Sequence, residues 1–171
     1  SEIEVERLRE NCLDIRDKAL IEILLSTGCR IGEVAGMNYE DVDFVNKQIN
    51  VIGKGNKERT VYLNAKSVFE LNKYIETYEI ECGPLFISKR GKKRLTIAGL
   101  SNIINQIGKR AKVNDCHPHR FRRTVATFAL NRGMPIEQVQ QLLGHEDIKT
   151  TTIYAKSDEQ SLKEAHRKYV I

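Results

Sequence analysis

The sequence predicts an α+β domain, mainly helical with a small antiparallel sheet. Apolar residues recur at helical spacing through most of the chain, and strict alternation is confined to the flanks of one glycine-rich turn. The 171 residues, 40% apolar and 30% charged with no repetitive stretch, suffice for a single buried core.

Ser1 and Glu4 have the form of a capping box, and Val5, Leu8 and Cys12 follow at helical spacing, so the chain is expected to open with a helix. An opening at a helix cap without an initiator Met carries the expectation of a domain excised from a longer chain, its N-terminal neighbour lying outside this sequence. Ile15, Ala19, Ile23 and Leu24 predict a second helix, with Gly28 placed to stop it in a left-handed cap. A short helix is expected from Ile31 to Met37. Ile49 and Val51, then Val61 and Leu63, alternate as two half-buried strands, and Gly53-Lys54-Gly55-Asn56-Lys57 supplies the turn between them. Further helices are expected around Val68, Leu71 and Ile75, around Leu100, Ile103, Ile104 and Ile107, and from Pro118 to Leu130. Pro135 opens another that Gly144 closes. The segment from Thr150 to Tyr154 reads as a short helix, and Ser161 with Glu164 as the capping box of a last one.

A formal charge of +5 and a pI near 9.0 lean towards a polyanionic partner, although many proteins that never touch nucleic acid share that excess. Distribution is more informative: Lys89, Arg90, Lys92, Lys93 and Arg94 form one basic cluster, and His117, His119, Arg120, Arg122 and Arg123 another. The cysteines, Cys12, Cys29, Cys82 and Cys116, form no C-x-x-C pair and suggest neither a zinc ribbon nor a disulfide framework, which fits a reducing cytoplasm. No apolar run approaches the roughly 18 residues of a membrane span, and no signal segment opens the chain, so no membrane partner is expected.

Several residues have chemistry that converges on a phosphate. Arg30 and Arg122 each carry a planar fork of donors able to hold two phosphate oxygens at once. His119 and Arg122 stand three apart on a predicted helix and share a face. His145 follows the helix stop at Gly144, Tyr154 provides a hydroxyl, and Lys54 sits at a hairpin tip from which a long side chain can reach. Taken singly, each is explained by structure alone: Arg30 with Glu33 as an i,i+3 ion pair, Lys54 as a solvated turn residue, His119 as a helix cap, Tyr154 as a core aromatic.

Order and spacing set these residues apart. Thr27-Gly28-Cys29-Arg30-Ile31-Gly32-Glu33 resembles the first arginine motif of the tyrosine recombinases, the family of phage integrases and Xer-type site-specific recombinases. Gly53-Lys54-Gly55-Asn56-Lys57-Glu58-Arg59 resembles that family's lysine hairpin, and His119-Arg120-Phe121-Arg122, followed by Thr124 and Ala126-Thr127, its His-x-x-Arg motif. Leu143-Gly144-His145 with Thr151-Thr152 and Tyr154 is similar to the closing motif and its nucleophile. Phe121 replaces the usual Leu and Arg123 the frequent His, departures that remove no reacting group.

The resemblance implies that residues 1–171 are a catalytic domain, with the N-terminal core-binding domain not in this chain. It implies that Tyr154 attacks the scissile phosphate to give a 3′-phosphotyrosine link, that Arg30, Arg122 and His145 stabilise the charge of the transition state, that Lys54 protonates the leaving 5′ oxygen, and that His119 assists the tyrosine proton or holds the phosphate. Glu33 would orient Arg30. Neither metal, ATP nor any other cofactor is implied. The implied partners are double-stranded DNA at recombination sites, further protomers in a tetramer that exchanges C-terminal helices, and accessory DNA-bending factors, in the cytoplasm of a bacterium or the host of a phage or mobile element.

Competing readings are weaker on chemical grounds. Cys116, His117 and His119 lie close in sequence but fit no zinc spacing, and Gly53-Lys54-Gly55 lacks the upstream Gly and following Ser or Thr of a phosphate loop. Type IB topoisomerases share the Arg, Lys and Tyr logic, yet the short hairpin and Leu143-Gly144-His145 favour an integrase. A noncatalytic DNA-binding or partner-binding domain of the same fold is expected to have lost one of the reacting groups, and none is missing.

Overall fold

The expected opening helix, α1 (Glu2–Glu10), starts with both halves of a capping box: the Ser1 hydroxyl accepts from the Glu4 amide and the Glu4 carboxylate returns to the N-terminus. In this computed structural model residues 1–144 and 159–170 are described. Asp14 caps α2 (Ile15–Thr27) through the Arg16 amide at 2.8 Å, and Gly28 ends it in a left-handed conformation at φ 61°. Helix α2 is buried nearly all round and is the central rod of the molecule, packed by α4 (Ala65–Tyr78) and α6 (Pro118–Asn131).

Short α3 (Ile31–Gly36) leads into the sheet, whose strands β1 (Val42–Asp43), β2 (Gln48–Ile52) and β3 (Glu58–Tyr62) pair antiparallel in the order β1-β2-β3. Ile49 pairs with Val61 and Val51 with Arg59, which is the expected hairpin; Leu63 lies just past its end, and β1 is an additional strand the sequence did not announce. A 3-10 turn (Lys54–Asn56) closes the hairpin, with Gly55 at φ 74°.

Asn64 and Thr96 cap α4 and α5 (Ile97–Arg110) through the amides of Ser67 and Gly99. Pro118 stands at the first position of α6, after His117, which is the N-cap residue and makes no side-chain cap bond, so His119 lies inside the helix and is not its cap. Helix α7 (Ile136–Leu143) follows Pro135 and stops at Gly144 in a left-handed cap, as expected. The last helix, α8 (Glu159–Tyr169), contains Ser161 and therefore corrects the expected capping box there. The short helix expected from Thr150 to Tyr154 lies outside the described residues.

Two apolar clusters hold these elements. The larger, around Leu20, Leu24, Ile49, Leu71, Leu85, Leu100 and Ile104, ends at Phe121 on α6. The smaller gathers Val125, Ala129, Val139, Leu142, Leu143 and Val170. Because Phe121 and Val125 are one helical turn apart, α6 belongs to both. His166 fastens α8 to α2: its buried ring meets the Ser26 carbonyl at 2.8 Å, and burial pushes its pKa down to about 4, keeping the imidazole neutral.

Candidate active site

Four chain segments meet where α2 ends. Gly28 is a point of close approach as well as a turn, since a Cβ there would stand 2.6 Å from Leu143 Cδ2. The end of α7 therefore lies directly on the Gly28 backbone. The chain then turns through buried Cys29 to Arg30, the N-cap residue of α3, whose amide donates to Glu33 Oε2 at 2.7 Å. Arg30 Nη1 lies 3.5 Å from Glu33 Oε1, so the ion pair read from the sequence is present, and Nη2 donates to the Gly144 carbonyl at 3.3 Å.

Arg122 reaches the same point from α6. Its guanidinium is buried, donates from Nη1 to the Gly28 carbonyl at 2.9 Å, and also donates to the Leu143 carbonyl. Burial, and then the charges of Arg30 and Arg59, push its pKa down to about 10, which still leaves it protonated at neutral pH. Burial alone would raise the pKa of the Glu33 carboxyl, but the hydrogen bonds and charge of Arg59, with the Arg30 amide, outweigh it and hold it below the usual range. Cys29 is neutral, its thiol pushed up to about 11 by burial. Two guanidiniums, of Arg30 and Arg59, thus pair with the one carboxylate of Glu33 and that of Arg122 lies nearby, so the local excess of positive charge calls for an anion.

Beside them is an open cavity of about 380 Å³, lined among others by Arg30, Glu33, Gly53, His119 and Arg122. His119 reaches it because it is three residues before Arg122 on α6, one turn away on the same face. Gly53 places the hairpin here too, since its Cβ position is only 3.4 Å from Glu33 Oε1, and the Lys54 backbone begins the adjoining turn. The structure therefore brings Arg30, Glu33, His119 and Arg122 to one cavity with the Lys54 turn at its edge. His145 and Tyr154 lie outside the described residues.

Arg59 is the residue that sequence reasoning did not single out. Its Nε and Nη2 donate to the two oxygens of Glu33 at 3.2 and 2.9 Å, and its Nη1 to the Leu142 carbonyl at 2.7 Å. The signal that could have found it is strand alternation: Arg59 lies two residues from buried Val61 and so points to the same inner face of β3.

The two basic clusters are only partly available to a ligand. Lys89 pairs with Asp14, Lys92 with Glu79, Arg94 donates to the carbonyls of Ala35 and Met37, and Arg120 pairs with Glu4, leaving Arg90, Lys93 and Arg123 as exposed charges. Among the described residues no three His, Cys, Asp or Glu side chains gather as metal ligands, and burial raises the Cys116 thiol to about 11.

Comparison with known proteins gives the family. The profile of the phage integrase family matches residues 2–161. Tyrosine recombinase XerC of Leptospira interrogans is 38% identical over 161 residues, 91% of this chain and 51% of its own, and that of Pediococcus pentosaceus is 36% identical over 94% of this chain and 56% of its own. The chain thus spans about half the length of the curated relatives it matches. Among solved structures, XerA recombinase superposes with a TM-score of 0.78 at 33% identity, covering 96% of this chain and 60% of that one. XerH site-specific recombinase, bound to its difH substrate in a pre-cleavage complex, superposes with a TM-score of 0.73 at 27% identity, covering 96% of this chain and 50% of that one.

Proposed function

Since the chain belongs to the phage integrase family of tyrosine recombinases, we propose that it cleaves and rejoins double-stranded DNA at specific sites through a covalent phosphotyrosine intermediate. The observation that carries the proposal is the cavity in which Arg30, Arg122 and His119 face one space, with more positive than negative charge around it. In the reaction, the Tyr154 oxygen attacks the scissile phosphorus and gives up its proton with the help of His119. The bond from phosphorus to the 5′ oxygen breaks as Lys54 donates a proton to that oxygen, leaving a 3′-phosphotyrosine and a free 5′-hydroxyl. Rejoining is the reverse attack by a 5′-hydroxyl, so no nucleotide hydrolysis is needed.

Charge gathers on the nonbridging oxygens in the transition state. Arg30, Arg122 and His145 are the donors to it, worth most because Arg122 is already desolvated and held in place before the phosphate arrives. Glu33 orients Arg30. The partners we propose are duplex DNA, further protomers assembled on it as a tetramer, and accessory DNA-bending proteins, with bacterial cytoplasm as the setting.

The test is a nicked duplex taken from the DNA flanking the gene, incubated with the protein in EDTA and resolved under denaturing conditions. A covalent protein–DNA band is expected, undiminished by the chelator, because guanidinium and ammonium groups supply the positive charge. Its absence on every flanking sequence would sink the proposal, and a band that appears only with added divalent metal would overturn the metal-free mechanism.

The role of Lys54 has its own test, since Lys57 lies in the same hairpin. Lys54→Ala is expected to cleave ordinary DNA on the order of 10²–10⁴-fold more slowly, the usual contribution of a positioned general acid. Sulfur at the bridging 5′ position should restore the rate, because a thiolate departs without a proton. Rescue seen with Lys57→Ala and absent with Lys54→Ala would move the acid role to Lys57.

A further inference from the structure

Helix α7 ends on three consecutive carbonyls, those of Leu142, Leu143 and Gly144, and each accepts from a different arginine: Arg59, Arg122 and Arg30 in that order. A helix C-terminus carries partial negative charge and unpaired carbonyls, so it is a natural seat for guanidiniums. The three do not have the same surroundings. Arg30 and Arg122 line the open cavity and have a phosphate to bind, whereas Arg59 is not among the lining residues, and only 17% of its side chain is exposed. Its fork is closed on both oxygens of Glu33, its remaining nitrogen on Leu142, and its Cδ would be 2.9 Å from a Cβ at Gly144.

Resting on the recombinase reading above, we propose that Arg59 is the positioning residue of the site: it ties the end of α7 to Glu33 while Arg30 and Arg122 engage the DNA phosphate. While Arg30 and Arg122 turn the free part of their forks to a phosphate, the Arg59 link keeps Glu33 under Arg30 and keeps the end of α7 in register with the cavity. The next residue in the sequence is His145. A lysine cannot substitute, because one ammonium group lacks the planar fork that spans a carboxylate and a carbonyl together.

Single-turnover cleavage of the nicked duplex, at saturating protein, separates this role from mere support of the fold. For Arg59→Ala and Arg59→Lys the expected result is a fall in the rate constant of about 10²-fold, the scale of a misplacement near 1 Å, with the full amplitude of adduct and near-normal DNA affinity. A purely structural role would instead reduce amplitude, the fraction of folded protein, and leave the rate constant unchanged. Glu33→Gln should give a loss that does not add to that of Arg59→Ala, since both cut the same link. Either a wild-type rate constant in a folded Arg59→Lys or fully additive losses would overturn the assignment.

A second measurement needs no cleavage. In the DNA-free protein the Gly144 amide, which donates to the Gln141 carbonyl at 3.0 Å, should exchange with deuterium at least about tenfold faster in Arg59→Lys than in wild type, with α2 amides unchanged. Unchanged exchange at Gly144 would refute the tie to α7. Failure of wild type to form any adduct, with faster exchange in the variant, would refute the recombinase reading and leave the clamp standing.

Discussion

Tyr154→Phe is expected to abolish the covalent protein–DNA adduct while leaving DNA binding intact. The substitution removes one oxygen and keeps the ring, so the attacking atom is the only heavy atom lost. Loss of a nucleophile in other covalent enzymes costs on the order of 10⁶-fold in kcat, well below the detection of a denaturing gel. The alternatives are few. The other tyrosines are Tyr39, Tyr62, Tyr74, Tyr78 and Tyr169, and none of them lines the arginine cavity. Tyr74 is buried, accepts the Ile87 amide, and has its hydroxyl pushed up to about 12 by burial, which makes it a poor nucleophile. Adduct formation by Tyr154→Phe, mapped by proteolysis to another tyrosine, would refute the assignment.

Arg122→Lys is expected to lose cleavage almost as completely, by about 10²–10³-fold for one missing transition-state donor. The usual label of a conservative exchange does not apply. Arg122 meets two buried carbonyls, of Gly28 and Leu143, while keeping part of its fork at the cavity, a geometry that one ammonium group cannot reproduce. A buried carbonyl left without a donor costs about 1–3 kcal/mol, so the variant should also melt earlier. Comparing the cleavage rate constant with the thermal midpoint checks both. Retention of more than a third of the wild-type rate would remove Arg122 from the transition state.

Most of the fold was legible because its punctuation is local. Gly28 and Gly144 announce left-handed caps, Ser1 with Glu4 a capping box, and Gly53 to Lys57 a turn between alternating runs, and each of these acts through backbone geometry within a few residues. Strand β1 was missed because two residues are too few to show alternation; its pairing depends on β2 being already in place. Ser161 misled for the opposite reason, since a capping-box spacing also occurs inside helices, and Ser161 lies within α8.

The site was legible as an order of motifs and not as a geometry. Nothing local brings Arg30 to Gly144 or Arg59 to Leu142; those contacts arise from the packing of α7 on the end of α2. Arg59 is therefore the typical omission, a charged residue in a strand whose partners are distant in sequence, and whose burial follows only from the carboxylate and carbonyl that receive it.

The wide spacing of these contacts along the chain bears on folding. Arg122 meets Gly28 across 94 residues and Arg30 meets Gly144 across 114, so the arginine cluster is built from the kind of contact that closes late. The larger apolar cluster can collapse from residues up to Phe121, whereas the smaller, which brings α7 onto Gly28, draws on residues as late as Val170. A ribosome-bound chain that has emerged only through Asn131 has Arg30 and Arg122 but no α7 to seat them. Synthesis from the N-terminus thus delays the assembled arginine cluster until nearly the whole domain has been made, so partly folded copies lack the positively charged centre.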